Sequence, residues 1–510
     1  MDGSLYLVVD LGTGGPKVGL VDASSALVDY VAYHVETTFA DDGQATQDAD
    51  QWWDLIVRGF RQLLEDRDRA RRVRAIGVTG QYGSTVPVDA NGRPTGPCLT
   101  WMDTRGGALS RRAVGGPIQG YNPRAVLSFI RRSGGAPSTS GADPVGHVLY
   151  LEHERPEVAA ATRWYLEPVD YVTMRLTGVP CATHASRLAM WMTDNRHLSR
   201  YHYDSVLLGL VGLSDEKLAP LVPFGSSVGP VSASVAAELG LPPSTIVATG
   251  IPDLHAATIG SGATGPYETH LALSTTSWIS CPVPAKKTDV LHSIASVPGL
   301  DSDHYLVINN QETGARALEW IRDQLAGTGP AASFDELTDL AATVGAGSNG
   351  VRFAPWLAGE RSPADDKHAR GGFSNLSITT TPADLVRAVL EGVAANSAWL
   401  FGRVEHFTGR RLEPVRLIGG GAQSELWCQI YANTLDRRVI QVAEPLIAQL
   451  RGVAHVAASA VGDVDLGDPP TPKGGRTFEP DPRDRETYAA IAHELPRRFA
   501  TERHWRRAIR

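Results

Sequence analysis

The sequence predicts an α/β protein of two similar halves that form a cleft between them. Its 510 residues suffice for two domains of ordinary size, and a hydrophobic share of 42% supplies substantial cores. A continuous apolar run bounded by glycine opens the chain, and a second such run begins near residue 246. Runs of this kind are typical of strands buried on both faces. A hydroxyl-bearing turn follows in each half, and ligands prefer interfaces between domains, so the cleft is the expected binding site.

The charge balance favours a small-molecule partner over nucleic acid or a membrane. The formal net charge is -8, which disfavours a polyanionic partner surface. No basic segment precedes an apolar core at the N-terminus, and no apolar run approaches the roughly 18 residues of a membrane helix. We therefore expect a cytoplasmic protein, and the sequence is compatible with a homodimer. For its four cysteines, which lack CxxC spacing, we expect reduced, mostly buried thiols: Cys98, Cys181, Cys281 and Cys428.

The first glycine-rich turn is a candidate phosphate-binding hairpin. An apolar strand over 5–11 leads into Gly-Thr-Gly-Gly at 12–15, and a second strand is predicted over 17–21. Backbone N–H groups of such a turn can point at a ligand, while Thr13 adds a hydroxyl and Lys17 a positive charge. The pattern GxxxxGK[ST] is absent and a strand follows, so the turn is not a P-loop. A merely structural turn is the alternative.

Two polar segments in the first half are candidate sugar contacts. A buried strand over 73–79 leads into Gly-Gln-Tyr-Gly-Ser at 80–84. Residues 101–105 then place an aromatic ring, a carboxylate and a guanidinium close together. An aromatic face with paired polar groups suits a polyhydroxylated ligand. A loop salt bridge between Asp103 and Arg105 is the alternative.

The domain boundaries follow from composition and helical spacing. Residues 106–145 are rich in Gly, Pro, Ser and Arg, so we expect a surface excursion or lid there. The Pro-Pro pair at 242–243 marks the expected boundary between a first domain, 1–245, and a second domain, 246–466. A tail over 467–510 follows, and we expect it to carry a helix that packs back on the domains. Helical patterns cover 48–65, 124–130, 144–157, 167–176, 220–239, 315–325, the stretch from Pro382 and about 484–499.

The second half begins with the stretch that we expect to carry the chemistry. Residues 246–277 contain an apolar strand, Asp253 just past its end, a run of small residues, and a second strand that opens into a hydroxyl-rich turn. Asp253 therefore lies beside small-residue backbone that a phosphoryl group could approach closely. A solvent-facing loop aspartate is the alternative. Further on, a glycine cluster over 419–421 joins a strand at 415–418 to a helix, which allows a phosphate or flat ligand to sit against bare backbone, although close packing would also demand glycine.

Eight segments in order carry a resemblance to the FGGY carbohydrate kinases, most similar to the xylulokinase branch. They are VDLGTGGPK, AIGVTGQYG, LTWMDTR, GIPDLHAATIGSG, LSTTSW, GERSP, DLVRAVLEGVA and LIGGGAQSELWCQIYAN. The resemblance covers nearly the whole chain and implies two actin-like ATPase (ribonuclease H-like) domains with a cleft between them. It implies phosphorylation of a sugar hydroxyl, such as that of the pentulose xylulose, with ATP and Mg²⁺. Another ketose or polyol as substrate, a non-catalytic nucleotide or sugar sensor, and a hydrolase using Asp253 with Glu360 are the alternatives.

The resemblance also implies roles for single residues. Asp253 would be the general base and would contact the sugar, and Asp10 would face the phosphates and Mg²⁺. The other implied positions are Thr13, Gly14, Lys17, Thr275 and Thr276 at the phosphates, Gly420, Gly421, Ala422 and Gln423 at the adenosine, and Gln81, Tyr82 and Asp103 at the sugar.

The chain departs from the pattern of the family near these positions. Pro16 stands where the family has a residue with an N–H, and Ser274 and Ser277 replace glycines of the second hairpin. The sugar segment reads GQYGS where xylulokinases commonly have GQMHG, and Asn375 replaces another glycine.

Overall fold

The structure is a computed structural model that describes residues 3–118, 120–469 and 474–508. Strands and helices alternate along both halves of the chain. The strands are β1 (Leu5–Gly12), β2 (Gly15–Asp22), β3 (Leu27–Ala32), β4 (Thr38–Phe39), β5 (Ala45–Gln47), β6 (Val73–Gly80), β7 (Val86–Val88), β8 (Cys98–Leu99), β9 (Gly115–Ile118), β10 (Trp164–Leu166), β11 (Ser227–Pro230), β12 (Ile246–Ala248), β13 (Ile251–Pro252), β14 (Thr269–Leu273), β15 (Ser277–Ser280), β16 (Pro282–Val283), β17 (Thr288–Asp289), β18 (Ile294–Pro298), β19 (Tyr305–Ile308), β20 (Arg352–Ala354), β21 (Gly372–Ser374), β22 (Val415–Ile418), β23 (Val439–Gln441) and β24 (Arg476–Phe478). The helices are α1 (Ala49–Leu63), α2 (Arg67–Arg72), α3 (Gly107–Val114), α4 (Pro123–Arg132), α5 (Pro144–Glu154), α6 (Pro156–Ala161), α7 (Pro168–Thr177), α8 (Ser205–Val211), α9 (Ala233–Leu239), α10 (Asp253–Gly260), α11 (Arg316–Ala326), α12 (Phe334–Ala342), α13 (Pro382–Thr408), α14 (Glu425–Leu435), α15 (Ala448–Ala460) and α16 (Arg485–Ala508).

A mixed sheet in the order β11-β12-β6-β1-β2-β3, with β13 also paired to β6, forms the first domain. Its central strand β1 is buried from Leu5 to Leu11, as the continuous apolar run predicts. β1 pairs antiparallel with β2 and parallel with β6. Helix α1 begins after Asp48, whose carboxylate accepts the amide of Asp50 at 2.9 Å, and its apolar side chains pack into the same core.

The second domain is organised around a sheet in the order β15-β14-β22-β23-β24. Helix α13 covers it and begins with Pro382 behind a capping box formed by Thr381 and Asp384, so the predicted start is correct. A four-stranded sheet, β16-β19-β18-β17, lies beside it. The C-terminal helix α16 packs against α13 and α14, as predicted for the tail, whereas residues 470–473 of that tail lie outside the described residues.

Two crossing helices, α10 and α15, lie between the two sheets. α15 comes from the second half of the chain but packs on β1, β6 and β12 of the first sheet. α10 packs on α15, and its Ala257 contacts Ala272 and Ile418 of the second sheet. A Cβ added at Gly260 would lie 1.7 Å from the carbonyl oxygen of Ala448, and one added at Gly452 would lie 1.9 Å from that of Ala256. The crossing therefore requires glycine on both helices.

Three sequence predictions differ from the structure. The expected boundary at 245/246 precedes β12 and β13, which pair with β6, so the first sheet continues to Pro252. The small residues after Asp253 form the buried helix α10 instead of a loop. Of the helix predicted over 220–239, only α9 forms, because prolines without N–H groups interrupt the stretch before it.

Other predictions are confirmed or extended. All four cysteines are buried and unbridged. The predicted excursion over 106–145 contains the helices α3 and α4, and Gln119 within it lies outside the described residues. No helix in the described ranges has the length and apolar character that crossing a bilayer requires.

Candidate active site

Strand register brings three predicted site segments to one edge of the first sheet. β6 lies between β1 and β13 and runs parallel to both. Asp10 pairs with Thr79, which pairs in turn with Ile251. The carboxyl ends of the three strands therefore coincide, and neighbouring strands lie about 4.8 Å apart. Asp10, the segment at 81–84 and Asp253 consequently meet at this edge.

Asp253 is the first residue of α10, where the positive end of the helix dipole favours a negative charge. Burial, together with the nearby charge of Asp10, nevertheless raises the pKa of Asp253 to about 7. The amide of Leu254 and the charge of Lys17 act in the opposite direction. A carboxyl that titrates near neutral pH is suited to accept a proton from a substrate hydroxyl.

Asp10 lies at the end of β1 and is nearly buried, its side chain being 9% exposed. The ammonium group of Lys17 on β2 lies 3.4 Å from its carboxylate. The hairpin thus carries one negative and one positive side chain side by side.

The carbonyl groups in the turn of the first hairpin accept hydrogen bonds from within the first domain. The Thr13 carbonyl accepts the Gln47 side chain at 2.7 Å, and the Gly14 carbonyl accepts the Val35 amide at 2.9 Å. Among the described residues no acceptor contacts the amides of Thr13 and Gly14. These two N–H groups are therefore available to an anionic ligand. Gly15 has φ +126° beside the Tyr33 carbonyl, so glycine is required there for backbone reasons.

The second hairpin, between β14 and β15, is built in the same way. Its carbonyl groups at Ser274 and Thr275 accept the amides of Ala315 at 2.6 Å and Gly314 at 2.9 Å. In the described part of the chain no acceptor contacts the amides of Thr275 and Thr276. Both predicted phosphate-contacting threonines therefore offer an N–H and a hydroxyl at the surface of the turn.

The serines that replace the usual glycines of this hairpin need no special backbone conformation. Neither Ser274 nor Ser277 has a positive φ. Ser277 is a strand residue that exchanges backbone hydrogen bonds with Gln311 at 2.8 and 3.2 Å. A side chain is therefore tolerated at both positions.

The predicted adenosine segment is only partly at the surface. Gly420 and Gln423 are accessible, and a Cβ at Gly420 would meet only Leu446, a partly exposed apolar side chain, at 3.9 Å. Ala422 is fully buried in the second core, and a Cβ at Gly421 would lie 2.5 Å from Leu273. A side chain at 421 has no room beside β14 and the Ala422 methyl group lies in the core, so only the backbone at these two positions could border a ligand; their place at the adenosine stays a prediction.

Two of the predicted sugar contacts are internal to the first domain. Gln81 is buried and bonded to Thr13 and Gln47. Asp103 is fully buried, and its carboxylate is held by Arg105 at 2.7 Å and by the Ala45 amide at 3.0 Å. The structure therefore contradicts a direct sugar contact by Asp103 and shows the loop salt bridge, because no carboxylate oxygen is exposed.

Tyr82 faces the junction of the domains. Its ring packs with an apolar cluster that includes Leu254 of α10 and Leu306 of β19. Burial and the charge of Asp253 raise the pKa of the Tyr82 hydroxyl, while the charge of Arg361 lowers it. Tyr82 therefore lies near both the Asp253 carboxyl and the Arg361 guanidinium of the second domain.

Sequence reasoning assigned no role to Arg361 and Glu312, although GERSP was recognised as a motif. The Arg361 guanidinium lies 2.9 Å from the Glu312 carboxylate and is 50% exposed. The neighbouring Glu360 is buried and accepts the amides of Glu312 at 3.1 Å and Arg361 at 2.9 Å, together with Asn396 at 2.6 Å. Glu360 thus holds this loop, which counts against its pairing with Asp253 in a hydrolase.

Comparisons with known proteins agree with this geometry. Models of the FGGY family of carbohydrate kinases match twice, the N-terminal domain over residues 5–260 and the C-terminal domain over 269–461. Xylulose kinase of Staphylococcus epidermidis is 26% identical over 463 residues, covering 90% of this chain and 88% of that protein. Gluconokinase of Bacillus subtilis is 24% identical over 489 residues, covering 94% and 92%. The crystal structure of xylulose kinase from Rhodospirillum rubrum is 26% identical, covers 98% of this chain and 99% of its own, and has a TM-score of 0.82.

The predicted fold and family are thereby confirmed. The two domains and the cleft between them have the actin-like ATPase fold of these kinases. The chain is a carbohydrate kinase, a phosphotransferase, and it belongs to the FGGY family.

Proposed function

We propose that this kinase transfers the γ-phosphoryl group of ATP to a hydroxyl of a pentulose such as xylulose, with Asp253 as general base. The observation that carries the proposal is the Asp253 carboxyl, whose pKa is raised to about 7 at the edge where β1, β6 and β13 end. Similarity to proteins named xylulose kinase supports the acceptor class. Because ATP is the donor, we also propose a cytoplasmic location.

In the proposed step the acceptor hydroxyl gives its proton to a carboxylate oxygen of Asp253. The oxygen of the acceptor hydroxyl forms a bond to the γ-phosphorus. The bond between that phosphorus and the oxygen that bridges it to the β-phosphate breaks, and ADP leaves. The transition state is loose, so alignment and charge stabilisation contribute most of the catalysis. The free amides at Thr13, Gly14, Thr275 and Thr276 would hold the phosphates from both domains.

The donor set fits a magnesium ion. Within the described residues no group of three or more His, Cys, Asp or Glu side chains is arranged to hold a metal. Mg²⁺ is commonly bound through one or two carboxylates together with substrate phosphates, and Asp10 would supply a carboxylate at the phosphate end of the cleft. Bound with ATP, the ion would neutralise phosphate charge. Lys17 would hold Asp10 in place at 3.4 Å.

A sugar acid is the second candidate acceptor. Arg361, which pairs with Glu312 at 2.9 Å, places a half-exposed guanidinium near Tyr82. Such a cation could pair with the carboxylate of an aldonic acid. The similarity to gluconokinase is consistent with this candidate.

A substrate panel tests both candidates. ADP release would be measured with xylulose, ribulose, xylitol and gluconate at saturating ATP and Mg²⁺, against a control without acceptor. We expect xylulose to give the highest kcat/KM. Preference for gluconate would favour the sugar acid, and the absence of acceptor-dependent ADP release would contradict the proposal and favour the non-catalytic sensor.

Tyr82 is expected to influence which acceptor is used. Tyr82→His would replace the phenol ring by a smaller, more polar ring near Asp253 and Arg361. The change alters the surroundings of the acceptor and not the hairpins that would bind ATP. We expect the ratio of kcat/KM between two ketoses to shift at least fivefold, while KM for ATP stays within twofold. Equal changes for all acceptors would contradict a sugar contact by Tyr82.

A further inference from the structure

Glu167 is a buried carboxyl that no step of the proposed mechanism uses. It directly precedes α7 and is fully buried. Its Oε2 accepts the amide of Ser84 at 3.1 Å, whereas its Oε1 has no hydrogen-bond partner among the described residues. Gly83 has φ +78°, a left-handed conformation that favours glycine and turns the chain between Tyr82 and Ser84. The carboxyl therefore lies directly beneath the turn that follows Tyr82.

The same turn is tied to the second polar segment of the first domain. The Ser84 hydroxyl accepts the Trp101 amide at 3.0 Å. The Trp101 indole in turn donates to the Thr13 hydroxyl at 3.1 Å. The contacts from Ser84 through Trp101 to the first phosphate hairpin therefore use the Ser84 hydroxyl, and Glu167 holds only the Ser84 amide.

Stability alone does not account for a carboxyl at this position. The nearby buried Arg187 donates to the Tyr165 carbonyl at 2.8 Å and lies 3.7 Å from Asp170, so its charge is shared with another carboxylate. Burial raises the pKa of Glu167 well above its usual range. Burying an ionisable group without a close ion pair is unfavourable, and an apolar residue would fill the site at lower cost.

We propose that Glu167 is a positioning residue that holds the turn at Gly83 and Ser84 so that Tyr82 faces the acceptor beside Asp253. The inference rests on the proposed function, in which Tyr82 contacts the acceptor. Glu167 acts through the backbone amide of Ser84 and touches neither substrate. Its loss therefore affects the binding of the acceptor and leaves the binding of ATP intact.

Kinetics of three variants test the proposal. Glu167→Leu removes the acceptor of the Ser84 amide, Glu167→Gln retains a carbonyl oxygen for it, and Val172→Ala weakens packing on the same buried helix while the Glu167 carboxyl stays in place. We expect Glu167→Leu to raise KM for the sugar at least tenfold with KM for ATP within twofold, and Glu167→Gln to stay within threefold of the parent on both. Equal effects of Glu167→Leu and Val172→Ala on the sugar KM, or no recovery in Glu167→Gln, would overturn the proposal.

Hydrogen exchange supplies a readout that needs no activity. In the full-length protein without substrates, the amide of Ser84 is expected to exchange at least tenfold faster in Glu167→Leu than in the parent, and at parental rates in Glu167→Gln and Val172→Ala. Unchanged exchange in Glu167→Leu would overturn the positioning role whatever the substrate panel shows. Faster exchange in Glu167→Leu, together with a parent protein that shows no sugar-dependent ADP release, would instead support the positioning role of Glu167 and contradict the proposed function.

Discussion

Replacing Asp253 with asparagine is expected to lower kcat for sugar phosphorylation by about 10²–10⁴-fold, the usual contribution of a general base. The amide keeps the size of the side chain but cannot accept the proton of the acceptor hydroxyl. ATP binding, which depends on amides of both hairpins, is expected to change little, as titration calorimetry can measure. Asp68→Asn, an exposed carboxylate on α2, is the matched control and should retain parental kcat. A kcat within a few-fold of the parent would remove Asp253 from the mechanism.

The pH dependence follows from the same residue. Because the ionised form is the base, kcat/KM for the sugar is expected to rise with pH through about 7, the pKa of Asp253, and then level off. This rise of kcat/KM with pH should be absent from the residual activity of Asp253→Asn. A profile in the parent that is flat between pH 5 and 8, measured at constant ionic strength, would contradict the assignment.

The raised pKa has an opposite effect on stability. In the folded protein Asp253 retains its proton up to about pH 7, whereas in the unfolded chain its pKa has the ordinary value of 3.8. The unfolded state binds fewer protons between these values, so this group lowers stability as pH rises from about 4 through 7. Asp253→Asn is therefore expected to raise Tm at pH 8 and to change it little near pH 4.

Gly452→Ala is expected to lower the free energy of unfolding by about 3 kcal/mol or more, at the upper end of the cost of overpacking. The added Cβ would lie 1.9 Å from the Ala256 carbonyl oxygen, and backbone cannot move aside as a flexible side chain can. α10 and α15 would have to separate, which disturbs both sheets. Urea unfolding monitored by circular dichroism measures the change.

Gly402→Ala on α13 is the matched control for this substitution. Gly402 is exposed in the middle of a helix, and a Cβ there meets no atom within 4 Å. The same change is expected to stabilise the protein by about 0.5–1 kcal/mol, since alanine is the better helix former. Similar effects of the two substitutions would show that the helix crossing does not depend on Gly452.

Local features of the fold were predictable from local sequence. The buried strand and glycine turn of the first hairpin, the cap at Asp48 and the start of α13 at Pro382 depend on neighbouring residues alone. The helix α10 was missed because a run of small residues is ambiguous, and only its packing on α15 resolves it. That packing joins residues almost 200 positions apart, and the adjacency of α15 to the first sheet has no local signal.

The candidate site shows the same division. The sequence pattern located Asp10, Tyr82 and Asp253, but their adjacency depends on the register of β1, β6 and β13. Asp103 was assigned to the sugar because the pattern W-x-D-x-R contains a carboxylate and a guanidinium. The pattern does not show that these two groups form an ion pair with each other inside the domain. Glu167 was counted only as the start of a helix, since its contact with the amide of Ser84 spans 83 positions.

The helix α10 joins the proposed base to the crossing of the two domains. Asp253 begins the helix and Gly260 ends it, seven residues later. At about 100° per residue these positions are almost two full turns apart, so they lie on nearly the same side of the helix. Inserting or deleting a single residue between them would turn the carboxylate by about 100° relative to the contact with α15. Natural variation in the length of this chain should therefore accumulate in surface segments such as 106–145, whereas the spacing from Asp253 to Gly260 should tolerate none.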